Sequence, residues 1–207
     1  MKYIALVLGI GFALSLCNLS EKLKGSSNSN SSAPTVSDNS AKPERGQPTA
    51  AQTAAIAGGK EVNWDRQGMS WTVPANWTET TNESKMLTWR SPGGSEAASL
   101  IVSISPMDEG FPADASINAY FEQAKSRAKN GEVDEVKWVE IDGVKGVQFR
   151  EASPEKLDDH RRLQWMAYRK YSGQLQGINV MLASNGKGFE EHKDAMYGVL
   201  YSMKVAH

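Results

Sequence analysis

The residue types best suited to metal binding in this chain of 207 residues are its three histidines and the carboxylates near them. His160 stands in the run L-D-D-H-R-R, where Asp158 and Asp159 would add oxygen ligands to its ring nitrogens. Residues adjacent in sequence seldom converge on one ion, and Arg161 and Arg162 would repel a cation. The run therefore indicates a solvated loop, and the sequence predicts neither a metal site nor a bound cofactor.

The other candidates for catalysis are equally isolated. His192 lies beside Glu191 and Asp194 on a predicted final helix, where side chains meet at spacings of three or four residues instead. His207 is the last residue. The chain has no G-x-S-x-G turn for a nucleophilic serine, and the run N-G-K-G-F at 185–189 lacks the spacing of a phosphate-binding loop. We predict no catalytic residue, and we expect that the protein is not an enzyme.

Cys17 is the single cysteine of the chain, and it follows an apolar run. Met1 and Lys2 precede residues 3–16, which are rich in Ile, Leu, Val, Ala, Phe and Gly. A membrane-spanning helix needs about 20 apolar residues, so this shorter run predicts a signal peptide over residues 1–17. One cysteine forms no internal disulfide and no multi-cysteine zinc site.

The residues before Cys17 resemble the signal of a bacterial lipoprotein, in which this cysteine becomes the acylated first residue of the mature chain. Leu14 and Ser15 fit that signal, whereas Leu16 is larger than the small residue usual directly before the cysteine. The resemblance implies lipidation of Cys17 and a membrane anchor in the cell envelope, in the periplasm or at the outer surface. An ordinary secretory signal, which would release a secreted protein, and an uncleaved anchor remain open as alternatives.

Composition divides the rest of the chain into two parts. Residues 18–60 contain the polar run at 26–32 and three prolines, and they contain no aromatic residue. Such a segment buries too little apolar surface to offset its ordering entropy, so we predict a disordered linker over 18–60. All six tryptophans lie in residues 61–207, which we expect to form one folded domain. The net charge of −1 offers no basic footprint for nucleic acid.

Periodicity predicts strands and two amphipathic helices in that domain. Alternating apolar residues indicate strands at 68–73, 86–91 and 98–105, and later at 136–141, 144–151, 161–171 and 175–184. Asp142-Gly143 and Ser172-Gly173 are typical of tight hairpin turns. Apolar stripes at helical spacing predict helices over 114–130 and 188–203. The expected class is α+β, with a central, mainly antiparallel sheet of about six or seven strands and two packed helices.

Three segments of the domain resemble PsbP-like domains. They are G-M-S-W-T-V-P-A-N-W at 68–77, the hairpin D-G-V-K-G-V-Q-F-R at 142–150, and the closing helix around F-E-E-H-K-D-A-M-Y-G-V-L-Y-S-M at 189–203. The resemblance covers about residues 64–205. It implies the α/β/α sandwich shared by the extrinsic photosystem II protein, Ran-binding Mog-type factors and many bacterial envelope lipoproteins.

Members of this family are mostly binding or assembly-assisting proteins without catalytic activity. The resemblance therefore implies a membrane-tethered envelope lipoprotein that binds a protein partner or helps to assemble a complex. Two alternatives remain open at this point. One is an envelope hydrolase with an unrecognised site, and the other is a carrier of a small apolar ligand in a cavity between sheet and helices.

Overall fold

The computed structural model describes residues 34–36 and 42–207. The strands are β1 (Thr35–Val36), β2 (Glu44–Arg45), β3 (Lys60–Trp64), β4 (Met69–Val73), β5 (Thr78–Glu83), β6 (Met86–Arg90), β7 (Ser99–Pro106), β8 (Val133–Ile141), β9 (Val144–Glu151), β10 (His160–Tyr171), β11 (Gln174–Asn185) and β12 (Lys204–Val205). The helices are α1 (Ala50–Ala55), α2 (Ala113–Lys129) and α3 (Gly186–Tyr201). Cys17 and the rest of the predicted signal peptide lie outside the described residues. No helix in the described ranges is both long and apolar enough to span a membrane.

Most of the strands belong to one large sheet. Its order is β1-β8-β9-β10-β11-β7-β6-β5, and β2 also pairs with β8. The seven longer strands pair antiparallel, while β1 and β2 run parallel to β8. A second sheet of three strands has the order β12-β4-β3. The predicted α+β class with a mainly antiparallel central sheet is confirmed.

Two tight hairpins set the register of the large sheet. In the β8–β9 turn Asp142 and Gly143 have φ angles of 48° and 85°, and in the β10–β11 turn Ser172 and Gly173 have 50° and 81°. Two successive positive φ angles define the type I′ turn, whose twist matches that of the flanking strands. Both hairpins stand at the dipeptides that the sequence indicated.

The main core lies between the large sheet and α3. The helix begins after Asn185, whose side chain accepts a hydrogen bond of 2.8 Å from the Gly188 amide. Phe189 and Met196 of the helix are fully buried against the sheet, where Trp165 is fully buried as well. The turn at 185–189 is therefore a helix cap, as the sequence indicated.

The opposite face of the large sheet is covered by α2 only at one end. Phe121 of α2 stacks on Trp138 of β8 with ring centroids 4.8 Å apart. Ala124 and Ala128 let the helix approach Val147 and Phe149 of β9, which belong to the same cluster. The cover of this face therefore lies over β8 and β9 and does not extend across the whole sheet.

The second half of the predicted linker is folded. Of residues 18–60, the structure describes 34–36 and 42–60, and these contain β1, β2, α1 and the first residue of β3. Thr49 and Gln52 form a capping box that begins α1. After α1, Ile56 is 9% exposed and packs into the main core. Residues 42–60 therefore belong to the folded domain, because a short apolar segment gains stability by packing on α3.

Candidate functional site

The three histidines lie on different elements: His160 begins β10, His192 is on α3, and His207 follows β12. His160, Asp158 and Asp159 are exposed at the start of β10, as the loop interpretation predicted. His192 Nε2 lies 3.4 Å from Ser91 Oγ, but that hydroxyl donates to the Pro92 carbonyl at 2.8 Å. Nowhere in the described ranges do three or more His, Cys, Asp or Glu side chains come together as ligands for a metal ion. His192 is therefore a partly exposed residue of α3 that contacts the loop before β7.

The most distinctive surface is the part of the large sheet that α2 leaves uncovered. Along the middle of β6, β7, β10 and β11, the side chains that point away from α3 are uncharged and mostly partly exposed. We call this surface the open face, and it consists of Met86, Thr88, Ile101, Ser103, Gln164, Met166, Gly177, Asn179 and Met181, with Met107 at one border and Tyr168 at the other, where the Tyr168 hydroxyl lies 2.9 Å from Ser116 Oγ of α2. No charged residue interrupts it.

Methionines dominate the open face. Of the eight methionines in the chain, Met86, Met107, Met166 and Met181 belong to it and are partly exposed. The Met107 methyl group lies over Gly177, at 2.9 Å from the position that a Cβ atom there would occupy. Methionine side chains are flexible and polarizable, so they adapt to the shape of a partner.

The polar groups of the open face bond to one another. Gln164 Nε2 donates to Asn179 Oδ1 at 2.6 Å, and Asn179 Nδ2 donates to Ser103 Oγ at 3.5 Å. Charged residues on this side of the strands stand at its margins, where Arg90 and Lys170 are exposed and Arg162 is partly exposed and pairs with Glu151. A charge-free centre with a charged rim is the usual anatomy of a protein interface.

A second feature is a polar cleft of about 300 Å³ between β8, β9 and α3. Glu135 is its centre, because Tyr197 donates to it at 2.9 Å and Gln148 at 2.6 Å. The Tyr201 hydroxyl donates to Gln148 at 2.9 Å, and Lys137 Nζ lies 3.8 Å from Glu135. We call these residues the Glu135 network.

Burial sets the protonation of the Glu135 network. It raises the pKa of Tyr197 far above the usual range for a phenol, and the negative charge of Glu135 adds to that effect. Burial likewise raises the pKa of Tyr201. Both phenols are therefore neutral donors at physiological pH, and Glu135 keeps Lys137 and Arg150 as its cationic partners. The network joins α3 to the sheet through neutral phenol donors on the helix and the Glu135 and Gln148 side chains on the strands.

A larger cleft of about 660 Å³ opens between the start of α2 and the β8–β9 turn. Trp138 lies at its base but is only 1% exposed, and Lys145 Nζ covers the ring at 4.1 Å from the centroid. Trp89 on β6 and Trp165 on β10 are also in the core. Trp77, which follows a loop, is 1% exposed. These indoles stabilise the fold and are not available as stacking platforms.

Comparison with known proteins identifies the fold and no close relative. No family model and no curated protein matches the chain. Among solved structures, LpqN of Mycobacterium tuberculosis, described as involved in cell envelope biogenesis, superposes with a TM-score of 0.54 at 10% identity. The match covers 72% of this chain and 90% of LpqN.

Two further structures align at lower scores. The cyanobacterial PsbP of Synechocystis sp. PCC 6803 gives a TM-score of 0.47 at 13% identity, over 71% of this chain and 92% of that protein. A protein of Bacteroides thetaiotaomicron gives 0.47 at 12% identity over 72% of this chain, which spans about half (49%) of that longer protein. The PsbP-like fold predicted from the sequence is confirmed, and at these identities the likeness concerns the fold alone.

Proposed function

We propose that the protein is a non-catalytic binding or assembly module of the cell envelope, anchored to a membrane through lipidated Cys17, and that a protein partner docks on its open face. The observation that carries this proposal is the absence of charge from a partly exposed sheet surface with four methionines at and beside its centre. An uncharged centre with flexible methionine side chains is suited to binding a protein partner.

The shape of the open face also favours a protein partner. Adjacent strands lie about 4.8 Å apart, so β6, β7, β10 and β11 together span roughly 15–20 Å. One helix with its side chains is about 10–12 Å wide, so this space accommodates a helix of the partner next to α2. The partner would thereby extend the helical layer that α2 begins.

The envelope location is supported by the start of the chain. The apolar run before Cys17 is typical of exported proteins, and LpqN, which shares the fold, is described as involved in cell envelope biogenesis. If Cys17 is not lipidated, the same domain is a secreted protein, and its partner is to be sought among soluble proteins.

Site-specific photo-crosslinking in cells tests the docking surface. A photoreactive phenylalanine analogue replaces Met181 or Met166 on the open face, and in the control it replaces Ala119, which is exposed on α2. We expect one discrete crosslinked protein from both methionine positions and none from Ala119. Met181→Glu should abolish the Met166 crosslink without altering the circular dichroism spectrum, because a charge at the centre of an interface is strongly disfavoured. Absence of crosslinks from both methionines would overturn the proposal.

The anchor is tested separately by the intact mass of the protein from the native membrane fraction. We expect a chain that begins at Cys17 and carries acyl groups, and we expect that Cys17→Ser moves the protein out of the membrane fraction. An unmodified chain cut at another position would replace the lipoprotein assignment with secretion. The docking surface would still be tested by the crosslinks alone.

A further inference from the structure

The two edges of the large sheet differ in how they are protected. At one edge, β5 has the sequence T-E-T-T-N-E, is mostly exposed, and carries an irregular register between Glu79 and Thr81. Polar side chains and bulges prevent an edge strand from pairing with another chain. At the other edge, β8 alternates charged and apolar residues and also has an irregular register, between Val133 and Glu135, but in addition it is covered by a separate segment of the chain.

Short pieces of the N-terminal segment cover the β8 edge. Thr35 and Val36 pair in parallel with Glu135 and Val136, and Glu44 and Arg45 pair in parallel with Val139 and Glu140. We call the described residues 34–36 and 42–46 the edge strap. Seven residues lie between Val36 and Glu44, whereas two lie between their partners Val136 and Val139 on β8, so the two registers are not continuous.

The edge strap is held weakly. All four of its paired residues are exposed, and an ion pair joins Glu44 to Lys137 at 3.3 Å. Its C-terminal end is firmer, because the Gly46 amide donates to the Glu140 carbonyl at 2.8 Å. A Cβ atom at Gly46 would lie 3.0 Å from both Ile141 and Tyr201, so the backbone is closely packed there. The strap can therefore separate from β8 while the chain remains fixed at Gly46.

We propose that the β8 edge is a docking site for an extended segment of a partner protein, which adds a parallel strand to the sheet in place of the edge strap. A continuous segment forms the full ladder of hydrogen bonds that the interrupted strap does not, and this gain drives the exchange. The parallel direction follows from the direction of β1 and β2.

The side chains of β8 define the chemistry of that segment. Residues of the bound segment that lie on the same face of the sheet as Glu135, Lys137 and Val139 point toward the polar cleft. An acidic side chain of the segment in the place of Glu44 reaches Lys137. On the other face the neighbours are Val136 and Glu140, which suit an apolar and then a basic residue, as Val36 and Arg45 are. We therefore expect an extended peptide that alternates in this way, with one carboxylate opposite Lys137. This site is separate from the open face, and each proposal can fail without the other.

Fluorescence anisotropy with a labelled peptide of residues 34–46 tests the inference on the full chain. In the variant Glu44→Lys, the strap meets Lys137 with a like charge and should leave the edge, so we expect the peptide to bind about tenfold tighter than to the unchanged chain. Glu155→Lys makes the same charge change at an exposed position outside the strap and should leave peptide affinity unchanged. A peptide of reversed sequence should bind more weakly, because in the parallel direction it presents its side chains to Lys137 and Glu140 in the wrong order.

A locked strap provides the decisive comparison. In the Cys17→Ser chain, Arg45→Cys and Glu140→Cys place two cysteines at paired positions, within the distance that a disulfide requires. The oxidised protein should not bind the peptide, and reduction should restore binding. Equal binding by oxidised and reduced protein, or no binding by the Glu44→Lys chain, would overturn the proposal. Dimers of the Glu44→Lys chain that the disulfide abolishes would also overturn it, because the occupant would then be the strap of a second copy.

Discussion

The Tyr197 hydroxyl on α3 donates a hydrogen bond of 2.9 Å to Glu135 on β8, across 62 residues of chain. The same hydroxyl accepts from Arg150 at 3.1 Å, so one phenol joins a carboxylate and a guanidinium beneath the helix. Helix α3 is thus attached to the sheet by a polar network at the β8 edge and by apolar packing elsewhere.

Tyr197→Phe should destabilise the domain by about 1–3 kcal/mol, because Glu135 loses a donor in a site where solvent cannot replace it well. Urea unfolding followed by circular dichroism measures the change. Tyr201→Phe is the matched control, since Tyr201 is more exposed and donates to Gln148 instead of Glu135, and it should cost about 1 kcal/mol or less. A larger effect at Tyr201 than at Tyr197 would contradict the role given to Glu135.

Alkaline pH should lower the free energy of unfolding, because the buried tyrosines of the folded domain resist ionisation. Burial raises the pKa of Tyr120 from 10.0 to about 12, and burial raises the pKa of Tyr197 further. Both phenols are neutral in folded and unfolded chains below about pH 10, so their contribution to stability is complete there. Above that pH the unfolded chain loses protons that the folded chain retains, and stability falls.

The contribution of Tyr120 alone is about 2–3 kcal/mol across that window. Unfolding free energies between about pH 8 and pH 12 measure the decline, and Tyr120→Phe should make it shallower. A folded protein whose tyrosines all ionise near pH 10, as followed by phenolate absorbance, would show that these side chains are not buried.

Local pattern was sufficient for the longer strands and the two large helices. Alternating apolar residues and the dipeptides Asp142-Gly143 and Ser172-Gly173 were enough to predict the two hairpins, because a type I′ turn depends on two residues that tolerate positive φ. Strand β5 escaped detection because both of its faces are largely exposed at a sheet edge, so it has no apolar alternation.

The features that depend on distant contacts were not predictable in this way. Helix α1 is six residues long and is stabilised by α3, where Gly198 leaves room for the Gln52 backbone. The alternation of Gln164, Met166 and Tyr168 in β10 was visible, but whether a helix covers them is decided by the length and position of α2. The Glu135 network joins residues from three elements and has no local signal.

Gly188→Ala should destabilise the domain although alanine has the higher helix propensity. A Cβ atom at Gly188 would stand 2.1 Å from the Glu96 carbonyl oxygen and 2.4 Å from Ser184 Oγ. Since backbone must move to relieve that overlap, we expect a loss of about 2–4 kcal/mol, which exceeds the gain of about 1 kcal/mol from propensity. Thermal or urea unfolding measures it. Gly110→Ala, whose Cβ would meet no atom within 4 Å, should stay within about 0.5 kcal/mol of the parent. Equal stability of the two variants would contradict the close packing at Gly188.

Arg169 joins three separate segments from a buried position, where it is 4% exposed. Its guanidinium donates to the Ala206 carbonyl at 2.7 Å, to the Gln67 carbonyl, and to Gln176 Oε1 at 3.2 Å. None of the ion pairs in the described ranges includes it, and burial lowers the pKa of this guanidinium. Its stabilising effect therefore rests on hydrogen bonds to oxygens that carry no full charge.

Arg169→Met keeps the volume of the side chain and removes every donor. Removing a buried cation relieves its desolvation, but two backbone carbonyls and an amide oxygen are then left without a partner, which costs about 1–3 kcal/mol each where they stay buried. We expect a net loss of about 2–4 kcal/mol and faster hydrogen exchange in β12, because Ala206 is no longer held. Arg162→Met is the matched control, since that side chain is 32% exposed and pairs with Glu151, and it should cost about 1 kcal/mol or less. Unchanged exchange in β12 with Arg169→Met would show that the contacts of β4, and not Arg169, hold the last strand in place.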